Sequence, residues 1–300
     1  MSDAGPPPRV DLAALLSQHR IIARKGLGQN FLHERTVLER IAASAVAGGS
    51  AWVVEIGAGL GTLTAALINA GAKVAAIERD QRLLPILEGL FTGRSDVRIV
   101  AGDALELRLA SLVPAGVRPA VAGNLPYSIS SPLLLALLGQ RAEIGPATIM
   151  LQREVAERLI ATPGTKAYGS LSVQFALHAN LERVLDVGPG AFIPAPRVHS
   201  TVLRVSWLAA PRVEVGSPQL FERIVRAAFG RRRKTLRNAL SAVFETEGID
   251  RAAAAIGLDL KRRGETLTVS EFGALSLAFS ELPAAAAALS RPVSEPTADS

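Results

Sequence analysis

The chain contains no cysteine among its 300 residues. Disulfide bonds and thiolate metal sites are therefore excluded, which fits a reducing compartment. No apolar run reaches the length that crosses a membrane, and residues 1–10 lack the basic-then-apolar order of a signal peptide. We accordingly expect a cytoplasmic protein with no membrane partner and no bound metal.

Aromatic residues are scarce, at 4% of the chain, but hydrophobic residues make up 49%. A chain of this length and composition can bury the cores of two domains. The net charge is +6, and the segment from Phe221 to Arg263 alone holds 11 Lys or Arg residues against 5 Asp or Glu residues. Such a basic balance favours nucleic acids or other anionic surfaces as partners.

Short apolar runs alternate with helical patterns along the first half of the chain. The predicted strands are Trp52–Ile56, Lys73–Ile77, Val97–Val100, Pro119–Gly123 and Thr148–Leu151. This alternation predicts an α/β fold, with a mainly parallel sheet and helices on both faces. Two later strands, Leu181–Val187 and Thr201–Trp207, are expected to add an antiparallel edge.

Changes in pattern divide the chain into four predicted segments. Residues 1–18 are expected to be a disordered tail, 19–208 an α/β domain, 209–282 a small basic helical domain, and 283–300 a second disordered tail. The helical domain follows a polar, proline-containing stretch that is typical of a linker.

A glycine-rich loop, Glu55–Thr62, follows the first predicted strand and opens a helix. Its glycines, Gly57, Gly59 and Gly61, do not match the G-x-G-x-x-G spacing of dinucleotide sites. They match the spacing typical of S-adenosylmethionine sites, whose ligand has no pyrophosphate to place at a helix N-terminus. A tight turn without a ligand is the alternative interpretation.

Two acidic residues close the next two predicted strands. Glu78 ends the second strand, where a carboxylate can accept hydrogen bonds from both ribose hydroxyls of an adenosine. Asp103 comes just after the third strand, where it can accept from an adenine amino group. Each acid alone could equally be a solvated turn residue.

The tetrapeptide Asn124-Leu125-Pro126-Tyr127 follows the fourth predicted strand. Ligands of open α/β sheets bind at this edge of the sheet. An amide that accepts from an exocyclic amine, beside an aromatic ring that stacks on a base, suits a flipped adenine. An ordinary turn with a core tyrosine is the alternative.

Taken together, these motifs resemble those of the ribosomal RNA adenine dimethyltransferases, and most closely the small-subunit (16S) branch. The resemblance covers roughly Lys25 to Trp207 and, more loosely, Phe229 to Asn238. Besides the motifs above, it includes four further segments: Gln29–Leu32, Gln152–Ala156, Pro163–Gly169 and Phe192–Val198. It implies a Rossmann-like class I methyltransferase sheet, with S-adenosylmethionine as methyl donor, and a small all-α C-terminal domain.

The resemblance also implies roles for individual residues. Asn30 and Leu32 would cover the methionine end of the cofactor, and Asn124 would lie between the cofactor and the target base. The cofactor-binding residues would be Asn30, Leu32, Gly57, Gly59, Glu78, Asp103 and Asn124. Phe192 would stack on the face of the base opposite Tyr127, so the catalytic set would be Asn124, Leu125, Pro126, Tyr127 and Phe192.

The expected partner is 16S rRNA within the 30S subunit or its precursor, bound by a monomer. A basic run in the helical domain is predicted to contact RNA phosphates: Arg231, Arg232, Arg233, Lys234 and Arg237. A solvated helix face would have the same composition.

Three other functions remain open at this point. A 23S rRNA adenine methyltransferase would share most motifs, although it usually has isoleucine in place of Leu125 and lacks the Pro163–Gly169 pattern. A ribosome-assembly or nucleic-acid-binding factor could use the same fold without catalysis. A small-molecule methyltransferase would leave the basic helical domain without a purpose.

Overall fold

The computed structural model describes residues 5–24, 26, 28–231 and 233–282. Its strands are β1 (Phe31–Leu32), β2 (Trp52–Ile56), β3 (Lys73–Glu78), β4 (Val97–Ala101), β5 (Ala120–Asn124), β6 (Ala147–Gln152), β7 (Ala179–Val187), β8 (Phe192–Ile193) and β9 (Ser200–Trp207). Its helices are α1 (Leu12–Gln18), α2 (Arg35–Val46), α3 (Thr62–Asn69), α4 (Leu84–Leu90), α5 (Ser130–Gly139), α6 (Arg153–Leu159), α7 (Ser170–His178), α8 (Pro218–Gly230), α9 (Leu236–Leu240), α10 (Thr246–Ala255) and α11 (Val269–Ser280).

A seven-stranded sheet has the order β4-β3-β2-β5-β6-β9-β7. The first five strands of this order pair in parallel, and β9 pairs antiparallel to β6. The chain order reverses between β2 and β5, and ligands of open α/β sheets bind at the carboxyl ends of the strands beside such a reversal. The parallel sheet and its antiparallel edge agree with the sequence-based prediction.

Both faces of the sheet are covered. Val53 of β2 and Val74 of β3 pack into a core with Ile41 of α2 and Leu67 of α3. Their chain neighbours point to the opposite face because side chains alternate along a strand, and Val54 there is also fully buried. Burial on both faces explains why the strands are nearly continuous apolar runs.

The described chain divides into two compact units: residues 5–156 with Asn180–Trp207, and Glu157–Ala179 with residues 208–282. The second unit is helical and has its own core. Phe221 and Ile224 of α8 pack there with Phe272 and Leu275 of α11. A capping box begins α11, because the Thr268 side chain accepts the Glu271 N–H and Glu271 accepts the Thr268 N–H.

The second unit begins differently from the prediction, which placed residues 19–208 in one domain. Residues Glu157–Ala179 pack with the helical unit instead. The Tyr168 hydroxyl donates to the Leu267 carbonyl at 2.9 Å, and Val173 of α7 lies in the helical core. These are long-range contacts, so the local sequence pattern did not reveal them.

The N-terminal segment also differs from the prediction of a disordered tail through residue 18. Residues Leu12–Gln18 form α1, which begins where the Asp11 side chain accepts the Ala14 N–H at 3.0 Å. Leu12 is buried in a small cluster with Phe31 and Leu60. This packing holds a short helix that would be unstable alone.

The proposed tails 1–4 and 283–300 lie outside the described residues. Within the described ranges, no helix is long and apolar enough to cross a membrane.

Candidate active site

The glycine loop turns sharply between β2 and α3. Gly57, Gly59 and Gly61 have positive φ angles of 74°, 59° and 81°, a region that favours glycine. A side chain at Gly61 would also meet the Phe91 ring at 2.8 Å. The loop is held over the end of β3 because the Gly57 and Ala58 N–H groups both donate to the Ile77 carbonyl, at 3.0 and 2.9 Å.

Glu78 ends β3 directly beneath this loop. One carboxylate oxygen accepts the Gly59 N–H at 2.8 Å, and the other accepts the Asp80 N–H at 2.7 Å. The side chain is buried, and this burial raises the pKa of Glu78 despite the two hydrogen bonds. Each oxygen has a further lone pair, so the carboxylate can also accept hydrogen bonds from a ligand.

Asp103 follows β4 at the same edge of the sheet. One oxygen accepts the Leu105 N–H at 3.0 Å, and the other lies 3.0 Å from the Arg79 guanidinium. Arg79 is largely exposed, so this ion pair is a weak one. The backbone hydrogen bond therefore does more to fix the carboxylate than the ion pair does.

Asn124 ends β5, and its side chain makes one hydrogen bond. Its Nδ2 donates to the Asn30 carbonyl at 2.9 Å. This bond sets the orientation of the amide, since only the nitrogen can face an acceptor. Oδ1 then points the other way, and it is buried with no hydrogen-bond partner among the described residues. An unsatisfied buried acceptor is costly, and a ligand N–H would relieve that cost.

The rest of the tetrapeptide has three different environments. Leu125 is fully buried, and its N–H donates to the Met150 carbonyl at 3.1 Å. Pro126 lines the pocket described below. Tyr127 opens a single helical turn, is half-buried, and has its hydroxyl 3.0 Å from the Ser200 hydroxyl.

One pocket brings most of the predicted residues together at this edge. Its lining includes Asn30, Leu32, Gly57, Gly59, Glu78, Asp103, Asn124 and Pro126. Leu125, Tyr127 and Phe192 are not part of the lining. The pocket combines a glycine cradle, two carboxylates and an unsatisfied amide oxygen, and this set fits an adenosine that carries an amino-acid tail.

Phe192 occupies a different place from the predicted one. It pairs with Leu32 in the short β1–β8 ribbon and is only 3% exposed, within the core beneath α2. A ring packed in this way does not present a face to a base. Phe192 therefore has a packing role beside Leu32.

The predicted RNA-binding residues lie in the helical unit. Arg231, Arg233 and Lys234 are exposed and have no ion pair within the described ranges. Arg237 is paired with Asp250. Arg232 falls outside the described residues.

Local sequence patterns did not indicate which residues hold the segment Gln29–Leu32 at the pocket. The Gln29 amide donates to Asp80 at 2.9 Å, and the Thr62 hydroxyl donates to the Leu32 carbonyl at 2.8 Å. Arg82 hydrogen-bonds Asp80 and lowers the pKa of that carboxyl. Gln29 and Asp80 are 51 residues apart, and Thr62 and Leu32 are 30 residues apart, so no local pattern could have joined these two pairs.

Glu55 is a further residue to which the sequence assigned no role. It lines the pocket, is 1% exposed, and accepts a hydrogen bond from the Thr64 hydroxyl at 2.5 Å. Burial raises its pKa to about 8; the Thr64 bond opposes this rise, and the charge of Glu78 adds to it. Glu55 is therefore mostly protonated at neutral pH.

Solved structures with the same fold include methyltransferases. A dimethyladenosine transferase from Plasmodium falciparum has the same fold, with a TM-score of 0.67 and 24% identity over 84% of this chain and 98% of its own. The 23S rRNA methyltransferase ErmE follows, with a TM-score of 0.63 and 25% identity over 84% of this chain and 100% of its own. The fold and pocket thus define a class I methyltransferase. The ribosomal RNA adenine dimethylase family matches residues 21–276, and the chain belongs to that family.

Curated relatives support the same assignment over nearly their whole length. A Geobacter sulfurreducens protein, Ribosomal RNA small subunit methyltransferase A, is 48% identical over 85% of this chain and 95% of its own. The Pseudomonas aeruginosa protein of the same name is 43% identical over 89% of this chain and 98% of its own. The predicted fold class, enzyme class and S-adenosylmethionine as methyl donor are confirmed.

The raised pKa of Glu55 leads to a prediction about stability. Because the folded pKa lies above the unfolded one, Glu55 stabilises the fold at low pH, and this contribution is lost as the pH rises through about 8. Between about pH 5 and 8, the wild type should lose about 1.4 kcal/mol per pH unit relative to Glu55→Gln. Denaturant unfolding of both proteins across this range measures the difference. Parallel pH profiles would contradict the protonated state.

Proposed function

We propose that the protein transfers methyl groups from S-adenosylmethionine to the exocyclic N6 of two adjacent adenosines near the 3′ end of 16S rRNA. The small-subunit name shared by the curated relatives supports this target over 23S rRNA. The proposed substrate is the 30S particle or its precursor. We keep cytoplasmic location and a monomeric state as predictions.

This chemistry rests on Oδ1 of Asn124, which has no hydrogen-bond partner within the described ranges. The N6 lone pair of adenine is delocalised into the ring and is a poor nucleophile. Oδ1 and the Leu125 carbonyl accept the two N6 hydrogens, which favours a tetrahedral nitrogen whose lone pair points at the methyl carbon. Because the Asn30 carbonyl already fixes the amide, this acceptor is preorganised.

The pocket residues bind and orient the methyl donor. Glu78 accepts hydrogen bonds from the ribose hydroxyls, and Asp103 accepts one from the adenine amino group. Gly57 and Gly59 admit the ligand close to the backbone, while Asn30 and Leu32 cover its methionine end. Bound S-adenosylmethionine supplies an electrophilic methyl group, and the remaining catalysis is positioning.

Tyr127 provides the stacking face for the flipped adenine. Its hydroxyl bond to Ser200 fixes the ring, so little side-chain entropy is lost when a base stacks on it. Stacking contributes about 1–3 kcal/mol per base, which offsets part of the unstacking cost of a few kcal/mol. No general base is required, because the methylated amine can lose its proton after transfer.

We further propose that the helical unit contacts RNA phosphates through Arg231, Arg233 and Lys234. Their charges are not neutralised by neighbours in the described chain, so they remain available to an anionic partner. Arg237 is less available because Asp250 pairs with it.

Labelled S-adenosylmethionine tests the target directly. The protein is incubated with under-methylated 30S particles or with 50S particles, and labelled nucleosides are mapped. We expect N6,N6-dimethyladenosine at two adjacent positions near the 3′ end of 16S rRNA. Label in 23S rRNA, or no label at all, would overturn the proposed function.

Asn124→Ala should lower kcat by about 100-fold or more, in the range seen when a preorganised transition-state contact is removed. Affinity for 30S particles should be largely retained. Asn69→Ala is the matched control, since Asn69 is exposed at the end of α3. Full activity in Asn124→Ala would disprove the assigned chemistry.

Replacing Arg231, Arg233 and Lys234 by glutamine should weaken 30S binding and flatten its dependence on salt. Loss of three phosphate contacts reduces the magnitude of the slope of log K for 30S binding against log salt concentration by about 2. The matched control replaces arginines that lie beside carboxylates in the same unit: Arg226, Arg251 and Arg263. Equal slopes in the two triple variants would refute the proposed contact.

A further inference from the structure

A second group of basic side chains lies where β6 ends and β9 begins, outside the pocket. The Arg153 N–H donates to the His199 carbonyl at 3.0 Å, and Gln152 is paired with Ser200 across the two strands. Ser200 also contacts the Tyr127 hydroxyl at 3.0 Å. Arg153 is therefore separated from the proposed base-stacking ring by a short chain of direct contacts.

The Arg153 guanidinium makes no direct polar contact with the described residues, although its charge acts on Asp186. Within the described part of the chain, it makes no side-chain hydrogen bond or ion pair, and its Nε is buried and unsatisfied. Arg153 as a whole is only partly buried, but a buried N–H donor without an acceptor is costly. Nothing in the described protein holds this group in place, so it can turn toward a ligand oxygen.

Asp186, an acidic group on which the Arg153 charge acts, already has other partners. Asp186 accepts a hydrogen bond from the Thr201 hydroxyl at 2.6 Å and lies 3.4 Å from the Arg183 guanidinium. The Thr201 bond lowers the pKa of Asp186 most, and the charges of Arg183, Arg153 and His199 lower it further. Asp186 therefore lies among several basic groups.

Exposed Arg197 adds to this surface, and it too has no ion pair within the described residues. A planar guanidinium with five N–H donors matches the geometry of a phosphate. A base stacked on Tyr127 belongs to a nucleotide whose chain has phosphates on both sides of the ribose. The positive charge near Arg153 and the neighbouring Tyr127 ring thus both indicate an RNA backbone as the ligand.

We propose that Arg153, supported by Arg197 and His199, binds a backbone phosphate of the RNA substrate next to the adenosine that stacks on Tyr127. The site positions the flipped nucleotide rather than reading its sequence. It is separate from the basic run of the helical unit, because it belongs to the unit that carries the pocket. The inference rests on the proposed function, since it assumes an RNA substrate.

Arg153→Gln tests the site on 30S particles, with Arg108→Gln as the matched control. Arg108 is exposed and paired with Glu143, which precedes β6 at the opposite edge of the sheet. We expect Arg153→Gln to raise KM about tenfold, as for loss of a charged hydrogen bond, with kcat nearly unchanged. The slope of log K for 30S binding against log salt concentration should become shallower by about 0.7 in Arg153→Gln. Arg153→Lys should retain most of the wild-type salt dependence.

A neutral phosphate separates direct contact from a structural effect. RNA hairpins with a methylphosphonate beside the target adenosine should bind the wild type more weakly than unmodified hairpins, and this difference should vanish in Arg153→Gln. The proposal is overturned if Arg153→Gln matches Arg108→Gln in KM and salt slope, or if its loss of affinity is the same at every salt concentration. Failure of the wild type to methylate 30S particles would instead refute the proposed function.

Discussion

The Glu78 carboxylate is the contact on which the rest of the site depends. The parallel register of β2 and β3 sets Ile56 beside Ile77, so the glycine loop leaves β2 directly over the end of β3. Glu78 then accepts the Gly59 N–H from above and the Asp80 N–H from its own chain. Burial disfavours its charge, and these two bonds offset part of that cost.

The N-terminal motif completes the site because it is tied to the same edge. The Thr62 hydroxyl donates to the Leu32 carbonyl, and the Gln29 amide donates to the Asp80 carboxylate. The Asn124 amide donates to the Asn30 carbonyl. Gly28 lies so close to the tetrapeptide that a side chain there would approach the Tyr127 nitrogen at 3.3 Å. The Asn124 amide thereby joins Asn30 to the end of β5, and its oxygen has no hydrogen-bond partner among the described residues.

Much of this arrangement was predictable from local patterns. Strands buried on both faces are apolar runs, and acids and amides at their ends must meet at one edge of a parallel sheet. The predictions for Glu78, Asp103 and Asn124 rest on that rule, and all three residues line the same pocket. Phe192, by contrast, follows a loop rather than a strand of the main sheet, and its partner Leu32 lies about 160 residues earlier. Neither periodicity nor motif spacing reveals whether such a ring faces a ligand or the core.

The sequence by itself determined the alternation of strands and helices, the glycine spacing and the chemistry available at each strand end, because these depend on backbone conformation and residue type. Tertiary structure alone decided the environment of each group. Burial raises the pKa of Glu55, and packing turns Phe192 inward and joins Glu157–Ala179 to the helical unit. Among the described residues, the fold also leaves the buried Nε of Arg153 without a hydrogen-bond partner. Desolvation and pairing depend on residues distant in the chain, which no local pattern records.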